Sequence, residues 1–552
     1  MESNSSSEDI TVARAILDIL SLAGVETIFG LPGVHNLAFW KEESVDTPRI
    51  LGVRHEQTTV YAADGLARAS GGLGVALTTT GPGAANAVGA FGEAAASGSP
   101  VLLISSEVST QLKRPGIIRG VLHESLDQSA IFSSLAKAVF CPRTAEDAVS
   151  AILESIEVAL EWPRGPVYVD IPTDVLLHLV DKERVIATNP PERVAPIDLS
   201  ITSAIELLNS VEKIVIWVGG GVVQSGEGAE KSLLQLCELL RAPVVTTFSA
   251  RGVIPPTHPC AVNLPPHEPE VARLIGEADL MLAVGSDFDG MMTRNWTMPR
   301  PRHLISINCD STDLSKNFVP DVEILADAEL AMRALLEYLS GDGSDLPSLD
   351  AMRTDVWNRL RTDPRSESAC FFLDAVDFAV GKNNAVVIAD MAIPGYWFGG
   401  YGRIQRSRQL QYPVGWGTLG YAVPASVGAG ARMTDPVLVV CGDGGFMFAI
   451  GELAVIAHEQ LPVTILLVDD GGYGMLRYDQ DHAGDKRNGV ELFAPDFVKL
   501  GESFGIETVK LGNSDPRLGV VLDEALSSRA PRIIILEQIL APPRTTSPRW
   551  NE

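Results

Sequence analysis

Two strand ends in the last third of the chain set carboxylates beside glycines. Val437-Leu438-Val439-Val440-Cys441 runs into Gly442-Asp443-Gly444-Gly445, and Val463 to Val468 runs into Asp469-Asp470-Gly471-Gly472-Tyr473-Gly474. A strand that ends in a glycine turn presents backbone N–H groups and a carboxylate together, which suits a phosphate bridged by a hard cation. Asp443 and Asp470 stand 27 residues apart, the length of one strand–helix–strand unit. In such a unit both carboxylates emerge at the carboxyl edge of neighbouring parallel strands, where open α/β sheets bind ligands. Gly-Asp-Gly alone is a tight turn; the acidic, glycine-flanked second strand points instead to a Mg²⁺–diphosphate site. A third carboxylate lies far away in sequence. Glu56 follows the apolar run Ile50 to Val53 and precedes the helical-looking stretch Thr58 to Ala69. That junction lets it face a crevice, or leaves it a plain helix-start glutamate.

The elements that must hold these groups follow from the hydropathy pattern. Short apolar runs, at Val75 to Leu77, Val101 to Ile104, Val167 to Ile171, Ile214 to Val218, Leu280 to Val284, Val437 to Cys441 and Val463 to Val468, alternate with stretches of helical period. Buried parallel strands with crossover helices have this signature. Two charged, non-periodic segments, Asp181 to Pro196 and Gly341 to Leu349, divide the 552 residues into three units of ordinary domain size. With 46% hydrophobic and 20% charged residues the chain is globular. Its net charge of −27 opposes the counterion-release attraction that nucleic acids and anionic membranes offer. Neither is expected as a partner, and no membrane-spanning run is evident.

Six cysteines, at 141, 237, 260, 309, 370 and 441, show no paired metal spacing and are too sparse for a disulfide framework. The polar, acidic start, Met1 to Asp9, is a frayed tail rather than a signal peptide. A reducing, cytoplasmic location is the expectation.

Gly-Asp-Gly followed at this distance by a pair of short polar residues resembles the motif of the thiamine-diphosphate enzymes of the acetolactate synthase and 2-oxo acid decarboxylase superfamily. The second half of that motif is normally Asn-Asn, where this chain has Asp469-Asp470. The resemblance runs in order through the whole chain. Phe29-Gly30-Leu31-Pro32-Gly33 resembles the first active-site loop, and Arg54-His55-Glu56-Gln57 the segment with the family's glutamate. Thr80-Gly81-Pro82-Gly83, Val218-Gly219-Gly220-Gly221, Ala278-Asp279-Leu280 and Gly415-Trp416-Gly417-Thr418-Leu419-Gly420 also match. Such ordered agreement is more specific than any single glycine pattern.

The resemblance implies three doubly wound parallel-sheet α/β domains: a pyrimidine-binding domain over 8–180, a central Rossmann-like domain over 197–340 and a diphosphate-binding domain over 365–545. It implies thiamine diphosphate and Mg²⁺ as cofactors, with Asp443, Asp470 and the Gly472 carbonyl on the metal. Gly442, Gly444, Gly445, Tyr473 and Gly474 would join Pro32, Glu56, Gly417 and Leu419 in binding the coenzyme. Glu56 would hydrogen-bond its pyrimidine ring, and Leu419 would wedge it bent, proximity catalysis by packing. Leucine is otherwise ordinary core.

His35 and His123 are candidate catalytic substrate contacts, a structural role for either weighing equally. Arg477 reads as a substrate-carboxylate contact or a solvated surface arginine. At the position after Leu-Pro-Gly that can carry a polar catalytic side chain stands Val34. This favours carboligation of acetolactate-synthase type, in which the enamine from a small-molecule 2-oxo acid attacks a second carbonyl compound. A non-ligating decarboxylase of an amino-acid-derived oxo acid is the alternative, supported by the Leu-Pro-Gly-Val-His-Asn and Leu-His-Glu patterns; a degenerate, non-catalytic homologue is a third reading. The tryptophan that acetolactate synthases carry in the lid is missing, with Asp479 near its place. FAD is left open but not predicted, because Gly285-Ser286-Asp287-Phe288-Asp289 lacks the arginine common at that position; a vestigial or empty nucleotide fold is preferred. A homodimer or homotetramer, with active sites at subunit interfaces, is expected.

Overall fold

A computed structural model describes residues 9–340, 346–432 and 434–544. Most of the tail at Met1 to Asp9, part of the segment Gly341 to Leu349, and residues 8 and 545 at expected domain limits lie outside them. Three parallel sheets carry the chain. The first, in spatial order, pairs Arg49–Gly52, Thr27–Gly30, Gly74–Thr78, Val101–Glu107, Val167–Pro172 and Ala138–Phe140. The second pairs Val244–Thr246, Ile214–Val218, Leu280–Val284, His303–Asn308 and Val322–Leu325. The third pairs Leu410–Gln411, Val386–Ala389, Val437–Gly442, Val463–Asp469, Arg532–Glu537 and Glu507–Leu511. Their inner strands are almost wholly buried because helices cover both faces, so they read as continuous apolar runs, whereas edge strands such as Val322–Leu325 and Glu507–Leu511 are partly exposed.

The chain forms two compact units. One comprises 1–192 with 415–434 and 449–461; the other comprises 193–414, 435–448 and 462–552. In the first unit the helix Glu56–Ser70 is pressed between the strand Gly74–Thr78 and the helix Ala422–Arg432. Glycine makes the crossing close. A Cβ on Gly65 would stand 2.2 Å from the Ala425 carbonyl oxygen, and one on Gly428 would stand 1.8 Å from that of Ala62. The crossing also buries charge: Arg68 pairs with Asp64 and Glu93, each at 2.8 Å, and its guanidinium lies 5.1 Å over the Tyr421 ring.

In the second unit one apolar core continues from Trp217 and Phe288 beside the central sheet to Trp397 and Phe398 beside the last sheet. Buried Arg251 joins the two layers, donating to the Gly400 carbonyl at 2.6 Å and to that of Gly402. Gly219 and Gly221, which suggest a nucleotide loop, serve backbone packing: their Cβ atoms would stand 2.2 Å and 2.7 Å from the Gly285 carbonyl oxygen and Cα.

Gly428→Ala forces a methyl group into a backbone carbonyl, and overpacking of this kind costs about 1–3 kcal/mol or more. Denaturant unfolding is expected to show at least that loss, whereas Gly381→Ala, where nothing lies within 4 Å of the new atom, should be neutral or stabilising.

Candidate functional site

In the first unit, sharp turns at the carboxyl ends of the strands bring together residues scattered through 30–130. Glu56 is the first residue of its helix, with His55 as N-cap, and it is half-buried. Asn86 Nδ2 donates to Glu56 Oε2 at 3.0 Å, and a Cβ on Gly83 would lie 3.5 Å from Glu56 Oε1. Thr79 fills the space between two loops, since a Cβ on Gly33 or on Gly83 would strike it at 2.7 Å and 2.6 Å. Only glycine suits position 81, whose φ is +67° and whose Cβ would meet His123 at 2.8 Å.

Beneath Glu56 is a residue that sequence reasoning missed. Glu452, fully buried, accepts from the Thr58 hydroxyl at 2.8 Å and from the Arg54 amide at 3.1 Å, so it fixes the segment from which Glu56 projects. Burial pushes its carboxyl above the usual range. The only signal was an acid inside the apolar run Phe446 to Val455.

His35 and His123 come together, their rings edge to face at 5.5 Å. His35 Nδ1 is buried without a hydrogen-bond partner. Burial, then the neighbouring His123, holds the His35 ring below the ordinary histidine range. Asn36, fully buried, braces the loop by accepting from the Gly33 amide at 2.8 Å and donating to the Leu31 carbonyl at 3.1 Å. Pro32 and Val34 are exposed. Gln128 accepts from the Gly81 amide at 2.6 Å and the Thr80 hydroxyl at 2.9 Å, and donates to Tyr168 Oη at 2.9 Å. Glu107, paired with Lys113, and Asp170 complete this layer.

The loop 415–420 belongs to the same unit. Thr418 donates to Glu93 at 3.0 Å, which ties the loop to the buried Asp64–Arg68–Glu93 cluster. Trp416 lies on Gly92, where a Cβ would meet the indole at 2.9 Å. Gly417, at φ +74°, is exposed and open on the side a Cβ would occupy, and Leu419 is half-buried.

In the second unit the strands Val437–Gly442 and Val463–Asp469 pair with Gly442 opposite Val468, which sets Asp443 and Asp470 at adjacent strand ends. Asp443 is buried, and its carboxyl is pushed up to about 7 by that burial and by Asp470 and Asp469. Tyr473 lies against Gly444, where a Cβ would stand 2.7 Å from the ring, and a Cβ on Gly474 would stand 2.1 Å from Asp470 Oδ2. Gly472 passes so close to Val490 that a Cβ would lie 2.1 Å from its carbonyl oxygen.

Arg477 is not the solvated surface arginine that the sequence also allowed. It is nearly buried, lies 2.9 Å from Asp470 Oδ1 and 3.1 Å from Glu491 Oε2, and donates to the Asp470 carbonyl at 2.9 Å. A buried carboxylate with like charges beside it and only oxygen donors nearby suits a hard divalent cation, so the residues fit the metal expected there. Glycines 442, 444 and 445 leave the adjoining turn without side chains, as a diphosphate needs.

Three family descriptions match the chain in order: thiamine pyrophosphate enzyme, N-terminal TPP binding domain, at 10–131; the central domain at 201–335; and the C-terminal TPP binding domain at 391–536. A probable acetolactate synthase large subunit of Methanocaldococcus jannaschii is 31% identical over 548 residues, covering 95% of this chain and 91% of that protein. A probable 2-ketoarginine decarboxylase, AruI, of Pseudomonas aeruginosa is 32% identical over 509 residues, covering 90% and 88%. Among solved structures, the thiamine diphosphate-dependent 4-hydroxybenzoylformate decarboxylase of Rhodococcus jostii RHA1 superposes with a TM-score of 0.82 at 24% identity, over 96% of this chain and all of that one, a likeness of fold. Among the described residues no helix is long and apolar enough to cross a membrane.

Asp170 offers a pH test of this buried polar layer. Burial, then Glu107, raises its carboxyl from 3.8 to about 7, so the folded chain keeps a proton that the unfolded chain releases. Its contribution is full below the unfolded value and is lost as pH rises through about 7, at up to about 1.4 kcal/mol per pH unit. Asp170→Asn should flatten the stability profile between about pH 4 and pH 7, measured by denaturant unfolding at each pH.

Proposed function

The chain belongs to the thiamine pyrophosphate enzymes and is an enzyme of acetolactate synthase or 2-oxo acid decarboxylase type, and from that premise we propose that it removes CO₂ from a 2-oxo acid and protonates the remaining carbon to release an aldehyde. The observation that carries this choice is the inward turn of His35 against His123, with a buried ring nitrogen free of any partner, on the same set of loops as Glu56. Val34, whose apolar side chain favours ligation in the sequence reading, is 80% exposed; the proton-handling side chain stands one position later.

When bound, thiamine diphosphate supplies the electron sink for loss of CO₂. Asp443, Asp470 and the Gly472 carbonyl would hold Mg²⁺, with Gly442, Gly444, Gly445, Tyr473 and Gly474 around the diphosphate. Pro32, Glu56, Gly417 and Leu419 would face the organic rings. Glu56, braced by Asn86 and through its segment by Glu452, would hydrogen-bond the pyrimidine ring of the coenzyme. His35 moves a proton at its free nitrogen, and His123 packs that ring in place. Arg477 offsets the charge that Asp470 brings where the family has asparagine. The family pattern supports a homodimer or homotetramer whose active sites draw on neighbouring chains, the reading 8–180, 197–340 and 365–545 for its domains, and a cytoplasmic setting.

Carboligation is the second reading, supported by the acetolactate synthase likeness over 95% of the chain. Incubation with thiamine diphosphate, Mg²⁺ and a panel of 2-oxo acids, with products identified by mass spectrometry, tests the choice. An aldehyde one carbon shorter is expected. A ligated hydroxyketone as main product would give the second reading preference, and no turnover with any acid would overturn both.

His35→Gln is expected to lower turnover by about 10²-fold with coenzyme affinity unchanged, and Glu56→Gln by at least as much, in steady-state assays on the preferred acid. In calorimetric titration, Arg477→Ala should weaken binding of thiamine diphosphate with Mg²⁺ by about tenfold, since it leaves Asp470 uncompensated. Adding Asp470→Asn should restore most of that loss; a double variant no tighter than the single one would remove the charge-compensation role.

A further inference from the structure

The cysteine spacing shows no metal motif, yet the fold of the central sheet brings two cysteines and a histidine together. One ligand atom from each of Cys237, His258 and Cys260 lies within 4.8 Å of the others. Glu238 Oε1 stands 3.2 Å from His258 Nε2. We propose that Cys237, His258 and Cys260 form a structural zinc site at the edge of the central sheet, with Glu238 orienting the imidazole through its other nitrogen, distinct from the Mg²⁺ site and independent of the proposed reaction.

Donors on one tetrahedral zinc, with Zn–S bonds of about 2.3 Å and Zn–N bonds of about 2.0–2.1 Å, lie about 3.5–3.8 Å apart, so ligand atoms already within 4.8 Å of one another need little movement to share an ion. Two thiols and an imidazole suit zinc rather than magnesium or calcium, which take oxygen donors. Both sulfurs are buried, whereas the imidazole and the carboxylate reach the surface, with side-chain exposures of 15% and 46%, so an ion can enter from that side. Without an ion the thiols bond each other and local carbonyls, Leu234 at 3.2 Å from Cys237 and Cys237 at 3.7 Å from Cys260.

The placement gives such an ion work to do. Cys237 and Glu238 sit in the last turn of the helix Glu227–Leu239. His258 and Cys260 lie on the turn that returns to the edge strand Val244–Thr246, where the Val244 amide donates to the Cys260 carbonyl at 2.7 Å. Between the strand and that turn runs the segment bearing Arg251, which bonds the Gly400 and Gly402 carbonyls, and Gly252, whose Cβ would stand 2.2 Å from the Arg406 carbonyl oxygen. A zinc ion would close both ends of this segment and stiffen the joint between the central and last sheets.

Full-length protein purified without chelator and under reductant should contain about one zinc per chain by elemental mass spectrometry, the stoichiometry of a single site. After chelation, titration with Co²⁺ alone should give sulfur-to-cobalt charge-transfer absorbance that saturates at one equivalent. Cys237→Ser and Cys260→Ser should abolish it, and Cys309→Ser should leave it intact. Should the buried serine variants fail to fold, His258→Gln decides, and is expected to weaken Co²⁺ binding at least about tenfold. Folded, reduced wild-type protein with neither zinc nor Co²⁺ absorbance, an unchanged titration in His258→Gln, or a Cys237–Cys260 disulfide persisting under reductant would overturn the site.

Discussion

The contact on which the first unit depends is the close approach of two helices that are distant in sequence. Gly65 and Gly428 let the helix Glu56–Ser70 and the helix Ala422–Arg432 meet backbone to backbone, and no larger residue fits either position. Because the first helix is also pressed onto the strand Gly74–Thr78, its axis has little freedom, and the position of Glu56 at its start is set by packing. The buried Asp64–Arg68–Glu93 cluster extends that constraint to the loop 415–420 through Thr418. One packed joint therefore orients both a carboxylate and the exposed Gly417 edge.

Around this joint, polar groups are bound to backbone rather than left loose. Gln128, Asn36 and Glu452 each spend a buried side chain on main-chain or hydroxyl partners of the turns that carry Gly81, Gly33 and Glu56. Buried polar groups cost free energy unless satisfied, so each of these bonds specifies one loop conformation. Against that background the unpartnered His35 nitrogen stands out: its surroundings are built and its own bond is not made.

Much of the scaffold was legible in the sequence. The runs at Ile214–Val218 and Leu280–Val284 are strands over the same residues, and those at 437 and 463 gain one residue at their ends, because strands covered on both faces must be continuously apolar. The junction assigned to Glu56 is a helix start, two residues earlier than the periodicity suggested, because His55 caps it. What could not be read are groups whose partners lie hundreds of residues away: Glu452 under Thr58 and Thr418 on Glu93. The glycines of 219–221 are accounted for by packing, since one backbone crosses another there at Gly285.

The departure at Asp469-Asp470 illustrates how a local rule is broken with compensation nearby. A second carboxylate beside Asp443 adds repulsion that burial magnifies, and the raised Asp443 carboxyl registers it. Seven residues on, Arg477 returns over the same turn to Asp470 and its carbonyl and is itself held by Glu491. The guanidinium can do this because Gly474, at the start of the helix Gly474–Ala483, brings that helix against Asp470 Oδ2 where any side chain would collide. Aspartate, arginine and glycine thus form one geometric set, a turn that keeps a charge-compensated oxygen donor at the strand end beside that of Asp443.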